Sequence, residues 1–487
     1  MNEEILKLNP TGIWKHFKTL CDIPRPSKKE ERIAKYVKEF GEGLGLETIV
    51  DSTGNIIIRK PATAGLEHKK GIILQAHLDM VPQANSDTTH NFETDPIETI
   101  IEGEWVTANG TTLGADNGMG VAAAMAVLES DNIPHGPIEA LFTIDEETGM
   151  TGAFGLEPNI LKGDILINMD SEDEGELYVG CAGGMDASIS LSYAEESPAD
   201  TEKAYIISVK GLKGGHSGMD ISLGRANSNK LLVRLLRHCT KLNDISVSSI
   251  KGGSLRNAIP RESFATITIP AENTKAFLLE AEKLTGAYKQ EYAETEPDLQ
   301  VKIEETTLPA KVMGKASQEA LLNSVYGCPN GVIRMSQSMQ GLVETSVNLA
   351  VVNAKEGKAE ILCLLRSSVD TAKLDLGNMI ESIFELAGAE VMFAGSYPGW
   401  KPNPNSAILE KMKDVYNQKF GIVPEIKAIH AGLECGILGG VYPNLDMISF
   451  GPTIRFPHSP DEKVNIETVQ KFWDFLIETL KQAPEKE

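Results

Sequence analysis

The sequence predicts an α/β fold with a mostly parallel central sheet and an inserted α+β domain. Short apolar runs alternate with amphipathic or Ala-rich stretches through the first third of the chain, as expected of parallel strands with intervening helices. From about Ala187 the pattern changes to alternating strands separated by longer helices, and the first pattern returns after a Pro-rich segment at 398–404. A length of 487 residues also exceeds what one hydrophobic core usually supports.

The first predicted domain comprises residues 1–186 and 398–487. Its buried strands are predicted from apolar runs at 71–76, 138–144, 165–169 and 447–450. The Ala-rich segment 118–130 predicts a helix whose small residues allow close packing on the sheet, and a last helix begins at Ile466. Because these elements come from both ends of the chain, we expect the C-terminal part to complete the first domain.

The inserted domain is predicted over residues 187–397. Alternating apolar residues indicate strands at 204–209 and 265–269. Helical periodicity indicates helices at 228–241 and 274–287.

Composition and charge exclude several classes of function. A net charge of −23 opposes stable binding to nucleic acid or to an anionic membrane. No segment has the length and apolar character of a membrane span or of an export signal. The six cysteines form no C-x-x-C pair, which favours reduced, buried thiols in a cytoplasmic protein.

The first polar cluster is QAHLDMVP at 75–82, directly after a predicted strand. Ligands in open α/β sheets bind outside the carboxyl ends of the strands, so His77 is a candidate metal ligand. Asp79 is a candidate to hold the second imidazole nitrogen. Taken alone, a strand-end histidine bonded to a carboxylate for structural reasons is the more common case.

The second cluster is GADNG at 114–118, where the glycines permit a tight turn. The two carboxylate oxygens of Asp116 could bridge two metal ions. Taken alone, helix capping is the more common role for an aspartate at this position.

The third cluster, IDEETG at 144–149, places three acids after an apolar strand. Burying them is costly unless cations or hydrogen bonds compensate the charge. Adjacent side chains of an extended segment point apart, so one of Glu146 and Glu147 could bind a metal while the other acts as a general base.

Two further segments supply candidate ligands. In NMDSEDEGE at 168–176, Asp170 lies nearest the strand end, with Glu172 and Asp173 as alternatives. In FPHSP at 456–460, His458 lies in a proline-fixed turn before the last helix. Two histidines and three carboxylates collected at strand ends form the mixed nitrogen and oxygen ligand set that suits zinc.

The order H-x-D-x-V-P, G-A-D-N-G, D-E-E-x-G, N-x-D-S-E and a C-terminal histidine closely resembles the M20 family of dinuclear zinc peptidases. The stretches 168–184, 211–220 (GLKGGHSGMD) and 430–436 (HAGLECG) are similar to its aminoacyl-histidine dipeptidase branch, also called Xaa-His dipeptidase or peptidase D. The resemblance covers essentially the whole chain. It implies a zinc-peptidase catalytic domain with an inserted lid domain.

The resemblance also implies two divalent metal ions, zinc with Co²⁺ or Mn²⁺ as alternatives, and a cis peptide bond after Asp116. The implied roles are His77 and Asp170 on one metal, Glu147 and His458 on the other, Asp116 bridging both, Glu146 as general base, and Asp79 supporting the site from outside.

In the inserted domain the resemblance implies that His216 stabilises the oxyanion, although a histidine beside turn glycines also has a purely structural explanation. Asn257 and Arg366 match positions that hold the substrate carboxylate. Relatives are often homodimers, so His216 acts either within its own chain or across a dimer.

The expected function is metal-dependent hydrolysis of dipeptides, with a preference for Xaa-His substrates that rests on the resemblance alone. Both metals would activate one water and Glu146 would take its proton. The alternatives are an N-acyl amino acid amidohydrolase of the same superfamily and a non-catalytic metal-binding scaffold. A phosphate-binding role for 211–218 is disfavoured because the segment lacks the G-K-[ST] ending.

Overall fold

The computed structural model describes residues 3–486, which form two compact units. The first unit contains the chain up to Gly180, residues 402–428 and residues from Leu433 onward, and the second contains 181–401 and 429–432. The expected boundary at 186/187 falls inside strand Gly183–Ser192, and that at 397/398 falls at the end of strand Glu390–Tyr397. The contribution of 429–432 to the second unit was not anticipated. Of the predicted first domain, residues 1, 2 and 487 lie outside the described residues.

The first unit is built on an eight-stranded sheet whose four central strands are parallel to one another, and the outer strands with a described register pair antiparallel. The expected parallel centre of the sheet is therefore confirmed. The strand order across the sheet is Glu47–Val50, Ile56–Lys60, Ile138–Thr143, Ile72–His77, Ile165–Asn168, Asp446–Ser449, Glu176–Cys181 and Glu425–Ile429.

The central strands Ile72–His77, Ile138–Thr143 and Ile165–Asn168 are buried along their whole length, which explains their continuous apolar runs. The predicted Ala-rich helix extends from Ala115 to Glu129 and packs closely on this sheet. A Cβ atom added to Gly120 would lie 3.1 Å from the Ala76 Cβ atom and 2.8 Å from the Met169 carbonyl oxygen. Small residues are therefore required where this helix meets the strands.

A second sheet of the first unit has the strand order Ile454–Arg455, Lys463–Asn465, Trp105–Ala108 and Thr99–Glu102. The remaining helices of this unit are Glu4–Lys7 (3₁₀), Thr11–Asp22, Glu31–Gly43, Glu146–Gly149, Thr151–Gly155, Ala407–Phe420, Glu434–Val441 and Ile466–Lys481. The last of these confirms the helix predicted from Ile466.

The second unit has a nine-stranded antiparallel sheet, which confirms the expected α+β insertion. The strand order is Gln300–Thr306, Glu202–Lys210, Ser263–Pro270, Ser246–Gly252, Val343–Lys355, Lys358–Ser367, Gly183–Ser192 and Glu390–Tyr397, with Gly331–Met335 also paired to Val343–Lys355. Two short pairs join Glu195–Glu196 to Val312–Met313 and Gly215–His216 to Ala258–Ile259.

Helices Ser228–Asn243 and Thr274–Glu291 confirm the two helices predicted for the insertion, and Lys315–Gly327 and Asp370–Glu385 complete the set of α-helices described in this unit. The side chain of Asn227 caps the first of them by accepting a hydrogen bond from the Lys230 N–H group. Two 3₁₀ turns lie at Ile221–Leu223 and Ala271–Asn273. Across residues 3–486, every helix is too short or too polar to span a bilayer.

Candidate metal centre and active site

The candidate site lies at the carboxyl ends of parallel strands in the first unit. Strand Ile72–His77 ends on His77, strand Ile138–Thr143 is followed by Glu146 and Glu147, and strand Ile165–Asn168 is followed by Asp170. Because these strands are parallel neighbours, their ends share one edge of the sheet. The sequence-predicted clusters therefore meet in space.

Asp116 lies at the centre of the group and directs one carboxylate oxygen to each histidine. Its Oδ1 atom is 3.1 Å from His77 Nε2, and its Oδ2 atom is 3.2 Å from His458 Nε2. Asp116 and Asn117 depart from helical dihedral angles, and the peptide bond between them is cis, as the family resemblance implies. The capping alternative does not apply, because the N-cap residue is Gly114 and the Asp116 carboxylate faces the histidines.

His77 is buried and is surrounded by three carboxylates. Its Nε2 atom is 3.3 Å from Asp170 Oδ1, and its Nδ1 atom is 3.3 Å from Asp79 Oδ1. Burial alone would lower the pKa of His77, but the Asp170 charge and the hydrogen bonds of Asp116, Asp170 and Asp79 raise it well above its usual value. The crowded carboxylates therefore strongly favour a positive charge at this position.

On the other side of Asp116, His458 meets Glu147. The His458 Nε2 atom is 3.0 Å from Glu147 Oε2, and the hydrogen bonds with Asp116 and Glu147 raise the pKa of His458 to about 11. The second oxygen of Glu147, Oε1, is buried and makes no hydrogen bond within residues 3–486. A buried carboxylate oxygen without a proton donor is suited to a cation.

Four sets of potential ligand atoms lie within 4.8 Å of one another in residues 3–486, and three of them contain the predicted ligands. Asp116 belongs to two of these three sets, which are His77, Asp116 and Asp170; Asp116, Glu147 and His458; and His77, Glu146 and Glu147. The fourth set consists of Glu30, Asp79 and Asp145.

Glu146 begins a single helical turn, Glu146–Gly149, after Asp145, which has a left-handed backbone with φ of 50°. The expectation of an extended segment with alternating side chains is therefore wrong, because the chain turns back at Asp145. Burial raises the pKa of Glu146 well above its usual value, against the opposing charge of His77. Glu146 and Glu147 still differ in environment, since only Glu147 contacts His458.

Asp79 holds this turn in place. Its Oδ1 atom accepts a hydrogen bond from the Glu146 N–H group at 3.0 Å, and its Oδ2 atom accepts one from the Glu147 N–H group at 3.2 Å. Burial by itself would raise the pKa of Asp79, but the hydrogen bonds and charge of His77, with those from the Glu146 N–H and Ser27, lower it to about 2. Asp79 therefore stays ionised and links His77 to the two glutamates.

The three acids considered after strand Ile165–Asn168 have different surroundings. Asp170 joins the His77 group and accepts a hydrogen bond from the side chain of Asn117. Asp173 forms an ion pair with Arg455 at 2.7 Å. Burial raises the pKa of Glu172 to about 8. Among these acids, only Asp170 lies within the sets of potential ligand atoms found in residues 3–486.

Two buried charged residues support the Asp116 loop and were not singled out from the sequence. The Glu462 carboxylate accepts hydrogen bonds from the N–H groups of Leu113, Gly114 and Asp116. The Arg25 guanidinium donates to the Gly114 carbonyl and to two carbonyls of residues 78–79. The one sequence signal for these supporting residues was the position of Glu462, four residues after His458.

The second unit contains a separate polar group that includes two predicted substrate residues. Arg366 is buried, with its Nε atom 3.4 Å from Ser217 Oγ and its Nη1 atom 3.4 Å from the Tyr397 hydroxyl oxygen. Burial and the Arg366 charge lower the pKa of His216. Asn257 is exposed, and its backbone carbonyl accepts a hydrogen bond from the Ser217 N–H group.

His430 belongs to the same polar group, although its motif had been noted without a role for it. Its Nε2 atom lies 2.7 Å from the Ser346 hydroxyl oxygen. Burial and the Arg366 charge lower the pKa of His430 to about 3, so its imidazole is neutral at pH 7. The second unit thus combines one buried guanidinium with neutral hydrogen-bonding groups, an arrangement suited to a carboxylate.

Residues 73–482 match the model of peptidase family M20/M25/M40, and the chain belongs to this family. Among curated proteins, it is 46% identical over 483 residues to the cytosol non-specific dipeptidase of Escherichia coli, covering 99% of this chain and 100% of the relative. The crystal structure of the aminoacylhistidine dipeptidase from Vibrio alginolyticus matches with a TM-score of 0.97 and 50% identity, covering 100% of both chains. The Bacillus cereus aminopeptidase PepT shares the fold, with a TM-score of 0.57 and 16% identity over 98% of this chain and 99% of that one.

Proposed function

We propose that this protein is a metal-dependent dipeptidase. The observation that carries the proposal is the placement of Asp116, whose two carboxylate oxygens face His77 on one side and His458 on the other. A carboxylate in this position can serve two cations at once. Membership of a peptidase family supplies the reaction class.

The residues present fit two divalent metal ions, because the donor set mixes imidazole nitrogen with carboxylate oxygen and leaves Glu147 Oε1 buried without a partner in the described residues. We assign His77 and Asp170 to one metal, Glu147 and His458 to the other, and Asp116 to both. The donor set favours zinc, with Co²⁺ and Mn²⁺ as alternatives. Such ions act as Lewis acids and lower the pKa of a bound water.

Glu146 is proposed as the general base. It takes a proton from the attacking water and later donates it to the departing amine. Its carboxylate lies with His77 and Glu147 in one of the sets of potential ligand atoms, within reach of a water held there. Asp79 accepts a hydrogen bond from the Glu146 N–H group and lies 3.3 Å from His77 Nδ1, from where it would orient the His77 ring.

The polar group of the second unit is proposed to bind the substrate. The planar fork of Arg366 suits the free α-carboxylate of a dipeptide, and Asn257 is assigned to the same end. His216 is assigned to the oxyanion, either within its own chain or across a homodimer. The carboxylate-rich site also offers partners for a free α-ammonium group, and recognition of both ends would restrict the substrate to short peptides.

The names of the relatives suggest two substrate ranges. The Escherichia coli relative is named a non-specific dipeptidase, whereas the Vibrio alginolyticus relative is named an aminoacylhistidine dipeptidase. We propose that this protein cleaves dipeptides including Xaa-His. We also propose a cytoplasmic location, which the name of the Escherichia coli relative supports.

The test is hydrolysis of β-Ala-His, Gly-His, Gly-Leu and a panel of N-acyl amino acids by zinc-reconstituted protein. Glu146→Gln should reduce kcat by about 10²- to 10⁴-fold while the bound metal, measured by elemental analysis, is retained. Glu102→Gln, a substitution on the surface of the first unit, serves as the matched control. Cleavage of N-acyl amino acids alone would indicate an amidohydrolase. Two bound metals without any turnover would indicate a non-catalytic scaffold.

A further inference from the structure

A chain of buried polar side chains crosses the central sheet of the first unit just below the candidate metal ligands. Gln75, Asn168 and Ser449 lie on three adjacent parallel strands, and each is fully buried. Gln75 precedes His77 by two positions, so strand periodicity places both side chains on the same face. Asn168 likewise lies two positions before Asp170.

The hydrogen bonds of this side-chain network run in one direction, because each side chain donates to the next. Ser449 Oγ donates to Asn168 Oδ1 at 2.5 Å, Asn168 Nδ2 donates to Gln75 Oε1 at 2.5 Å, and Gln75 Nε2 donates to Glu434 Oε2 at 2.6 Å. Because the Ser449 proton is directed to Asn168, the Ser171 hydroxyl, 2.7 Å away, donates to Ser449. A run of donors of this kind is cooperatively strengthened and needs a pure acceptor at its end.

Glu434 is that acceptor. Its side chain is fully buried, and its Oε2 atom also accepts a hydrogen bond from Thr143 Oγ1 at 2.9 Å. Glu434 begins the helix Glu434–Val441 and belongs to the HAGLECG segment, to which the sequence assigned no chemical role. Because the Glu434 Oε2 atom accepts both bonds, it fixes the orientation of the Gln75 amide and, through it, that of Asn168.

The hydrogen-bond chain lies at the last residue pairs that join these parallel strands. The last described pair between strands Ile72–His77 and Ile165–Asn168 is Gln75 with Asn168, and the last parallel pair of Asp446–Ser449 is Ser449 with Asn168. Beyond this rung each strand pair keeps one backbone hydrogen bond, from the Met169 N–H group to the Gln75 carbonyl at 3.0 Å and from the Phe450 N–H group to the Asn168 carbonyl at 3.1 Å. The side-chain bonds therefore reinforce the strand ends at the point where His77 and Asp170 emerge.

We propose that Glu434 is a positioning residue for the metal centre. By terminating the directed chain it fixes the ends of the two strands, and thereby the 3.3 Å separation of His77 Nε2 and Asp170 Oδ1. The inference rests on the proposed function for its metal, but its direct consequence is metal affinity and not turnover.

The test measures the zinc affinity of the folded full-length protein by competition with a chelator, alongside kcat and the melting temperature. Glu434→Ala removes the carboxylate acceptor and leaves Gln75 Nε2 only the 3.2 Å bond to Thr143 Oγ1, and Thr143 Oγ1 only the 3.5 Å bond to the Ala76 carbonyl. This change should weaken zinc binding by about 10- to 100-fold. Glu434→Gln keeps an acceptor oxygen and should bind zinc roughly tenfold more tightly than Glu434→Ala. Rescue by this conservative variant distinguishes positioning from a general loss of stability.

A second pair of variants tests the hydrogen-bond chain if Glu434→Ala fails to fold. Ser449→Ala interrupts the chain and should weaken zinc binding in the same direction. Its control, Ser263→Ala, removes an equally buried hydroxyl that donates to the Ser228 carbonyl in the second unit, and it should leave zinc affinity unchanged.

Wild-type zinc affinity in Glu434→Ala or Ser449→Ala would overturn the proposal, even if the melting temperature falls. Equal loss of affinity in the Gln and Ala variants of Glu434 would also overturn it, because charge and not the acceptor would then be the cause. Failure of the wild-type protein to cleave dipeptides would instead count against the proposed function, and the zinc affinities would still decide the role of Glu434.

Discussion

At the scale of single residues, Glu462 shows how a buried charge can organise a ligand loop. Three N–H groups of residues 113–116 donate to its carboxylate, and burial raises the pKa of Glu462 to about 7. Since Glu462 follows His458 by four residues, it joins the loop that carries His458 to the loop that carries Asp116. Removing this side chain would leave several buried donors unsatisfied.

His430 should make the stability of the protein depend on pH. Burial and Arg366 lower the pKa of His430 to about 3, whereas an unfolded histidine titrates near pH 6.5. Below pH 6.5 the unfolded chain therefore binds a proton at this histidine, whereas the folded protein does not. The free energy of unfolding consequently falls by about 1.4 kcal/mol per pH unit until pH 3. His430→Gln should remove about 2 kcal/mol of this loss between pH 6.5 and pH 5.

Urea unfolding of both proteins at pH 7.0, 6.5, 5.5 and 5.0 measures the difference. His68→Gln is the control, since His68 is exposed and shows no comparable burial. Parallel pH profiles of wild-type protein and His430→Gln would contradict the assignment of a neutral, buried imidazole.

At the scale of elements, helix Ala115–Glu129 depends on small residues where it meets the sheet. A Cβ atom at position 120 would lie too close to Asn117 Oδ1 and to the Met169 carbonyl oxygen. Gly120→Ala should therefore lower the free energy of unfolding by about 1–3 kcal/mol, because overpacking outweighs the better helix propensity of alanine. Displacement of Asn117, which donates to Asp170, should also weaken metal binding.

Gly286→Ala is the matched control, because it lies inside helix Thr274–Glu291 and a Cβ atom there meets nothing within 4 Å. Thermal unfolding should show a slightly raised melting temperature for Gly286→Ala and a lowered one for Gly120→Ala. Equal stabilisation by both substitutions would show that the sheet can yield at Gly120.

Sequence patterns predicted the elements whose burial is uniform. Strands such as Ile72–His77 and the Ala-rich helix were identifiable because continuous apolar or small residues reflect complete burial. The turn at Glu146 was not, because its helical form depends on Asp79, which accepts the N–H groups of Glu146 and Glu147 from 67 and 68 positions away. Local residue preferences cannot predict a turn that depends on such distant partners.

In the candidate site, too, roles that depend on distant contacts could not be predicted from local sequence. The candidate ligands at strand ends were predictable because strand polarity and residue chemistry agree there. Arg25 and Glu462 were not, because buried charges are uncommon and their roles arise from backbone groups that have no sequence signature. His430 was visible within a motif, but its neutral state depends on its burial and on the nearby Arg366.

At the scale of the whole molecule, removal of divalent metal should destabilise the protein. Without cations, the carboxylates of Asp116, Glu146, Glu147 and Asp170 remain crowded at one edge of the sheet. Zinc at 100 times its dissociation constant should add about 2.7 kcal/mol to the free energy of unfolding. Calorimetry should show a lower melting temperature after chelation and recovery after zinc is restored.

Asp116→Asn should reduce this recovery, because the carboxylate that we propose for both metals is lost. An exposed substitution such as Glu102→Gln should preserve it. A melting temperature that chelation leaves unchanged in the wild-type protein would contradict a metal site in the first unit.

The discontinuous first unit has a consequence for synthesis on the ribosome. Strand Asp446–Ser449 pairs with strand Ile165–Asn168, and the bonded residues Ser449 and Asn168 are 281 positions apart. At about 5–20 residues per second, roughly 15–60 s pass between translation of the earlier strand and translation of its neighbour. Throughout that interval one side of a buried apolar strand is uncovered. The nascent chain therefore offers a binding site for chaperones long before the enzyme is complete.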